Sequence, residues 1–519
     1  MAKIRRLALC ILLAGCAPPQ APPHGPAVSV AEKPEPLTAA VEAEIRQFCG
    51  DCHALPRPET FPRDAWPQEI ERGFGLYFES GRSDLRVPRI LDVVRFYTER
   101  APKELSIPLP PEADAAISLK WRAANGPEGD RSLLPATANV CFRPARDGQP
   151  AVLLTSDMRS GEVYESQRVA GGGWSGTVLA RLANPAHLDP CDLDQDGRED
   201  LLVAELGSLD PADHQAGRVT WLRRDEEGRG YQVRVLADRL GRVADVRAAD
   251  FDRDGDLDLV VAEFGWHRTG RILLLEHPGG RDPSGPFGVR VLYSYPGTIH
   301  VPPCDLNGDG WIDFIALVSQ HQETVLAFLN QGDGTFSPQV LWSAEDPSFG
   351  SSGIELVDLD DDGDLDVLGT SGDTFDNKHV KPYHGVYWLE NEGRFPFRHT
   401  LLTPLPGAYR AVAGDVDGDG DRDIVASAFL PFEPLTALDV ERQQSLVLLE
   451  RTDKKEFRRH GIEWGRMDHA TLTLDDLDGD GDLDLAVGEF PRDGELPHPR
   501  FRVWWNEGAV TRAAETRTK

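Results

Sequence analysis

The stretch DFDRDGDLDLVVAEF, residues 250–264, decides how this chain is read. Carboxylates alternate at Asp250, Asp252 and Asp254, Gly255 follows, and Asp258 opens an apolar run. Alternate carboxylates on a tight turn converge on one hard cation, the glycine supplies the left-handed backbone that the turn needs, and the ninth residue closes the shell. The same spacing recurs as DLDQDGRED at 192, DLNGDGWID at 305, DLDDDGDLD at 358, DVDGDGDRD at 415 and DLDGDGDLD at 476, with starts 53 to 61 residues apart. That interval is the length of a four-stranded propeller blade with its loops. The candidate calcium ligands are therefore Asp192, Asp194, Asp196 and Asp200; Asp250, Asp252, Asp254 and Asp258; Asp305, Asn307, Asp309 and Asp313; Asp358, Asp360, Asp362 and Asp366; Asp415, Asp417, Asp419 and Asp423; and Asp476, Asp478, Asp480 and Asp484. A helix–loop–helix calcium site would carry Glu at the twelfth position. Here that position is small or apolar (Val203, Val261, Ala316, Gly369, Ala426, Val487), and flanks such as DLLVAEL read as strands.

Six in-register copies resemble FG-GAP or VCBS repeats, the integrin-like calcium-loop propellers, over roughly residues 136–508. The resemblance implies a mainly β, seven-bladed β-propeller stabilised by about six calcium ions. Upstream, NVCFRPARDGQPAVLLTS (139–156) keeps the Asp147-Gly148 turn but places Arg143 and Ala145 where ligand carboxylates belong, so it reads as a first blade without a metal. The last repeat is one strand short of its siblings. ISLKWR at 117–122 is expected to supply that strand, because an open propeller exposes two sheet edges.

A second motif stands ahead of the repeats. In QFCGDCHALP (47–56), Cys49 and Cys52 are spaced to add across two vinyl groups, and His53 follows as an iron ligand. No second CxxC exists to complete a zinc site. Residues 38–49 suit a helix running into the motif, and PRILDVVRFYTER (88–100) carries a helical stripe at Ile90, Val93, Val94 and Tyr97. The segment resembles a small N-terminal α-helical cytochrome c-like domain, which implies one covalent haem c on Cys49, Cys52 and His53. Residues 54–135 contain neither Met nor His, so the iron is expected either to be five-coordinate, facing solvent, or to take a distal ligand from outside the domain, such as His187, His300 or His469.

The chain opens with Lys3, Arg5 and Arg6, a short apolar run from Leu7 to Ala14, and LAGC at 13–16. This resembles a bacterial lipoprotein signal peptide with lipidation on Cys16, and implies export and anchoring, with Ala17 resembling outer-membrane sorting toward periplasm or cell surface. The expected organisation is 1–15 signal peptide, 16–37 Pro-rich tether, 38–110 cytochrome c-like domain, 111–510 propeller and 511–519 disordered tail. The domain order resembles cytochrome-propeller proteins of environmental bacteria.

A net charge of −31 argues against nucleic acid and leaves the lipid anchor as the membrane contact. Cys141, Cys191 and Cys304 lie in apolar surroundings and read as buried thiols rather than disulfide partners. Propeller topology brings residues before each inner strand and after each second strand to the face opposite the calcium loops. There the sequence offers His187, Asp245, His300 and Arg410, five residues before their loops, and His469, seven before; Glu205, Glu263 and Glu489 at equal offsets after the second strands; and His321, Asp373 and His384 in loops. Together these make a candidate polar site at the channel mouth. Two function classes follow. One is electron transfer or oxidoreduction, with the propeller as platform for a redox partner protein or small molecule; the other is a cell-surface binding or adhesion module for a polysaccharide or protein, with accessory haem. No GxSxG, HExxH or phosphate-binding glycine loop supports a hydrolase or nucleotide enzyme.

Overall fold

The computed structural model describes residues 36–110, 119–146, 149–280, 283, 285–320 and 322–509. The leader with Cys16 and the tether up to residue 35, the Asp147-Gly148 turn, His321 and the tail from 510 lie outside the described residues.

Each repeat forms one antiparallel sheet, and seven sheets make the propeller. The reason lies in the second strands. Asp200–Glu205, Asp258–Glu263, Asp313–Val318, Asp366–Ser371 and Asp423–Ala428 are buried at all six positions. A strand apolar on both faces must be sandwiched, and here the neighbouring blades do it. Leu201 and Val203 pack toward blade one, while Leu202 and Ala204 pack toward blade three with Trp221, Val246, Leu259 and Val261. The pattern continues around the ring, giving an apolar core between every adjacent pair of blades. Each fully buried Leu or Val in such a core contributes roughly 1.5–3 kcal/mol.

Inner strands Thr137–Arg143, Pro185–Cys191, Val243–Ala249, Ser351–Val357, Ala408–Gly414 and Thr471–Asp475 surround a central channel. In blade four the inner strand is split into Thr298–His300 and Pro303–Cys304, because Pro302 and Pro303 have no N–H to give the ladder. Blade seven takes its outer strand from the start of the repeat region: Leu119–Asn125 pairs antiparallel with Phe501–Ala509, with Trp121 opposite Asn506 and Asn125 opposite Arg502. The ring is thus closed by strands from both ends of the propeller segment.

Ahead of it sit three helices, α1 (Ala39–Cys49), α2 (Trp66–Glu79) and α3 (Ile90–Thr98), around Ile45, Trp66, Phe74, Val93, Phe96 and Tyr97. Thr38 caps α1 through its side chain. No described helix is long and apolar enough to cross a membrane.

Candidate functional site

The two ends of the propeller carry different chemistry. At one end, all six Asp-Gly loops share a contact: the backbone N–H of the sixth residue donates to the first carboxylate, from Gly197, Gly255, Gly310, Gly363, Gly420 and Gly481 to Asp192, Asp250, Asp305, Asp358, Asp415 and Asp476. These glycines have φ of 86–100°, the left-handed region where a side chain would be strained. Ligand oxygens of Asp192, Asp194 and Asp200; of Asp250, Asp252 and Asp254; of Asp358, Asp360 and Asp362; of Asp415, Asp417 and Asp423; and of Asp476, Asp478 and Asp484 lie within 4.8 Å of one another in each set. Several carboxylate oxygens are buried without a hydrogen-bond partner, on Asp194, Asp200, Asp250, Asp305 and Asp360. Burial pushes Asp423 and Asp484 up to about 7 and Asp200 and Asp366 to about 6. Crowded, orphaned anionic oxygens fit a hard cation. In the loop at 305, the neutral Asn307 replaces the Asp of the other loops, which lowers the anionic count by one, and it donates to Asp309 at 2.8 Å.

The ninth residues also have a second duty. Asp313, Asp366, Asp423 and Asp484 each accept from the loop's second residue and from the end of the third strand, which ties three strands at one carboxylate. In blade one, Arg143 reaches Glu199 at 3.3 Å and Glu165 at 3.4 Å, so a guanidinium stands where the other loops place a ligand carboxylate; cations also reach loop carboxylates elsewhere, as Arg223 does Asp194 and Arg168 does Asp478.

At the opposite end the channel opens into a cavity of about 660 Å³ walled by all seven blades. Strand register sets one residue per blade at the same height: Asn139, His187, Asp245, His300, Gly353, Arg410 and Thr471. Asp245 is fully buried and gathers its neighbours. His187 Nδ1 lies 2.9 Å and His300 Nδ1 3.7 Å from its carboxylate, Arg247 Nε donates at 3.0 Å, and the Val301 N–H donates at 3.0 Å. Arg247 Nη2 donates to His187 Nε2 at 2.9 Å, so that nitrogen is the acceptor. Burial would raise the Asp245 carboxyl, yet Arg247 and His187 hold it well below its ordinary value. Arg410 crosses the gap left by Gly353, donates to the Ile354 carbonyl at 2.5 Å, and stands 3.8 Å from Glu355. Burial lowers both Arg410 and His300. Asp373 also lines the channel, pushed up to about 6 by burial.

Five residues expected at the mouth are elsewhere. Glu205, Glu263 and Glu489 end second strands, and side chains there alternate between the two blade faces, so none aims at the axis. Glu205 accepts from the Ala183 N–H and Thr220, Glu263 pairs with Arg271, and Glu489 pairs with Arg466. His469 is fully buried against Glu463, at 2.6 Å. His384 is buried under Gly350 with neither nitrogen hydrogen-bonded, and burial holds it well below its usual pKa. Conversely, Asp189, Arg247 and Glu355 belong to the channel's polar cluster and are absent from the sequence-based set. All three stand three residues before a loop's first Asp, on the same strand face as the set at five.

The helical domain docks on the mouth face, at the rim. Asp346, buried in the turn before blade five, accepts from the Arg57 N–H at 2.7 Å and from Thr60 Oγ1 at 2.6 Å. Arg72 of α2 donates to the Asp376 carbonyl at 2.9 Å, and Glu79 pairs with Arg268 of blade three at 3.2 Å. Buried Lys381 sets its Nζ 5.3 Å from the Phe61 ring. None of the described residues of this domain lines the channel. Cys49 ends α1, half-buried beside Tyr97, with its thiol pushed up to about 11 by burial; Cys52 is exposed, 3.0 Å from Arg82. Both are free thiols, as are Cys141, Cys191 and Cys304. Two thiols and an imidazole at one helix end are a donor set that fits covalent haem. His187, His300 and His469, offered by the sequence as distal ligands, are engaged with carboxylates.

With this geometry in place, comparison with known proteins finds the FG-GAP-like repeat at residues 192–261 and 305–369, each span beginning on the first Asp of a loop. Among solved structures, the crystal structure of an ancestral GH74 enzyme aligns over 79% of this chain and 52% of its own, with 11% identity and a TM-score of 0.48. This chain thus spans about half the length of that structure. No curated protein matches. The chain carries FG-GAP-like repeats in a seven-bladed β-propeller.

Proposed function

We propose that this protein is an exported, lipid-anchored monohaem cytochrome-propeller that works in electron transfer or as an oxidoreductase. The observation that carries the reading is the buried Asp346 contact, which fixes a CxxCH-bearing helical domain on the mouth face of the propeller. Cys49, Cys52 and His53 would hold one haem c, and when bound it supplies one-electron chemistry. Calcium in the six loops neutralises carboxylates that otherwise repel, and holds the ring that presents the channel. The channel, with Asp245, His187, His300 and Arg410, is the platform for a small molecule or a partner protein. Cys16 would carry the lipid, with the protein at the outer membrane facing periplasm or cell surface.

The test is a pyridine haemochrome assay after expression with cytochrome c maturation machinery. One covalent haem per chain is expected, lost in Cys52→Ala. Absence of covalent haem from the wild-type protein would sink the redox reading and favour a binding module built on the propeller.

A further inference from the structure

Four arginines line the channel, and three of them are spent on protein partners. Arg247 serves Asp245, Asp189 and His187; Arg410 serves the Ile354 carbonyl and Glu355; Arg159 Nη1 donates to the Leu134 and Pro135 carbonyls. Arg242, at the entrance to blade three's inner strand, differs. The residue is only 8% exposed, it makes no ion pair or side-chain hydrogen bond among the described residues, and its Nε is buried without a partner. The guanidinium carbon lies 5.4 Å from the centre of Phe264; the Tyr409 and Asp210 side chains act on the charge without an ion pair or hydrogen bond, and burial lowers its pKa. Burying a cation without a hydrogen-bonded or ion-paired partner costs free energy, which a fold does not retain for stability.

The surroundings say what would compensate. Phe264, Trp266, Phe375, Tyr409, Phe429 and Phe432 line the same cavity, and part of them form a continuous apolar cluster with Phe490. Flat apolar walls beside one unpaired guanidinium suit a planar body ending in a single negative group. Asp210, Asp373 and Asp376 also face the cavity and would repel a dianion such as phosphate about twice as strongly as a monoanion. A carboxylate matches the planar fork of a guanidinium with two parallel hydrogen bonds.

We propose that the channel mouth binds an aromatic monocarboxylate, its carboxylate paired with Arg242 and its ring against Phe264 and the neighbouring aromatic side chains. This deepens the platform half of the function proposed above and does not depend on haem.

Isothermal titration of the full-length protein with benzoate, benzamide and inorganic phosphate tests it. Benzoate is expected to bind, benzamide and phosphate not to, and Arg242→Gln to weaken benzoate at least tenfold. The same benzoate affinity is expected in Cys49→Ala/Cys52→Ala, which carries no haem, so this site and the redox reading can fail separately. In the absence of added ligand, Arg242→Met should melt no lower than wild type, because it removes a buried charge that has no ion-pair or hydrogen-bond partner. The proposal is overturned by undetectable benzoate binding, by phosphate binding in its place, by unchanged benzoate affinity in Arg242→Gln, by loss of benzoate binding in the haem-free variant, or by a clear fall in melting temperature for Arg242→Met.

Discussion

The two ends of the propeller are made by the same strands, yet they are encoded differently. At the loop end, six blades repeat one turn, with the same glycine donating to the same first carboxylate. At the mouth end, one height of the ring carries an amide, two imidazoles, a carboxylate, a glycine, a guanidinium and a hydroxyl, one from each blade. Repetition belongs to what every blade must do, which is to hold its neighbours. Variation belongs to what the ring does once.

If the loop end is the frame, removing its cations should have the largest effect. Each site filled at a hundredfold excess over its Kd adds about 2.7 kcal/mol, so chelation should lower the melting temperature by far more than any single substitution. The pH dependence sharpens this. With chelator, Asp423 and Asp484 stand near 7, above the unfolded carboxylate value, so the folded chain binds more protons between about pH 4 and 7 and stability falls as pH rises through that window. Saturating calcium should abolish that fall. Equal melting with and without chelator would remove the distinction between the two ends.

The next largest effect is expected at the mouth end. Asp245→Ala leaves Arg247 buried without its main partner and should cost about 3–5 kcal/mol in urea unfolding. Because Arg247 and His187 hold the Asp245 carboxyl well below its ordinary value, its contribution persists at neutral pH and is lost only as pH falls below the usual carboxylate range. A cost under about 1 kcal/mol would mean that the cluster is solvated and does not order the channel.

Asp417→Ala removes one candidate ligand from one of six loops, and is expected to cost about 1–3 kcal/mol in calcium and almost nothing in chelator. A similar loss under both conditions would make Asp417 a turn residue instead. The smallest effect on the ring should come from Asp346→Ala. It removes the acceptor of the Arg57 and Thr60 contacts, and should speed proteolysis between the helical domain and the propeller while leaving the propeller's own unfolding unchanged.

The same contrast explains what the sequence let one read. The loops and the blade count are legible because nine residues recur at blade spacing, and a turn that gathers alternate carboxylates needs no tertiary context to be recognised. At the mouth, only the offset from a loop is available. On the inner strands that offset works: His187, Asp245, His300 and Arg410 share a height on the channel wall, and the offset of three would have added Asp189, Arg247 and Glu355. On the second strands it misleads, because Glu205, Glu263 and Glu489 point at neighbouring blades rather than at the axis. Arg242 escapes both rules, since it sits in the turn before its strand and its isolation emerges only when every other cation in the channel has found a partner. In the helical domain, α1 and α3 carry an apolar period, whereas α2 contains Gly73 and Gly75, residues that weaken a helical reading.

The pairing of Leu119–Asn125 with Phe501–Ala509 has a consequence for how the molecule is made. The strand that completes the last blade leaves the ribosome first among the propeller strands, and its partner leaves last. Until then the growing polypeptide carries an unpaired edge at its head, next to the helical domain, and every intermediate length is an open arc. A product cut short before residue 501 therefore has no closed form to adopt, however many complete repeats it holds. The clasp makes synthesis through residue 509 a condition of closing the ring, and until that point the first strand must be kept available.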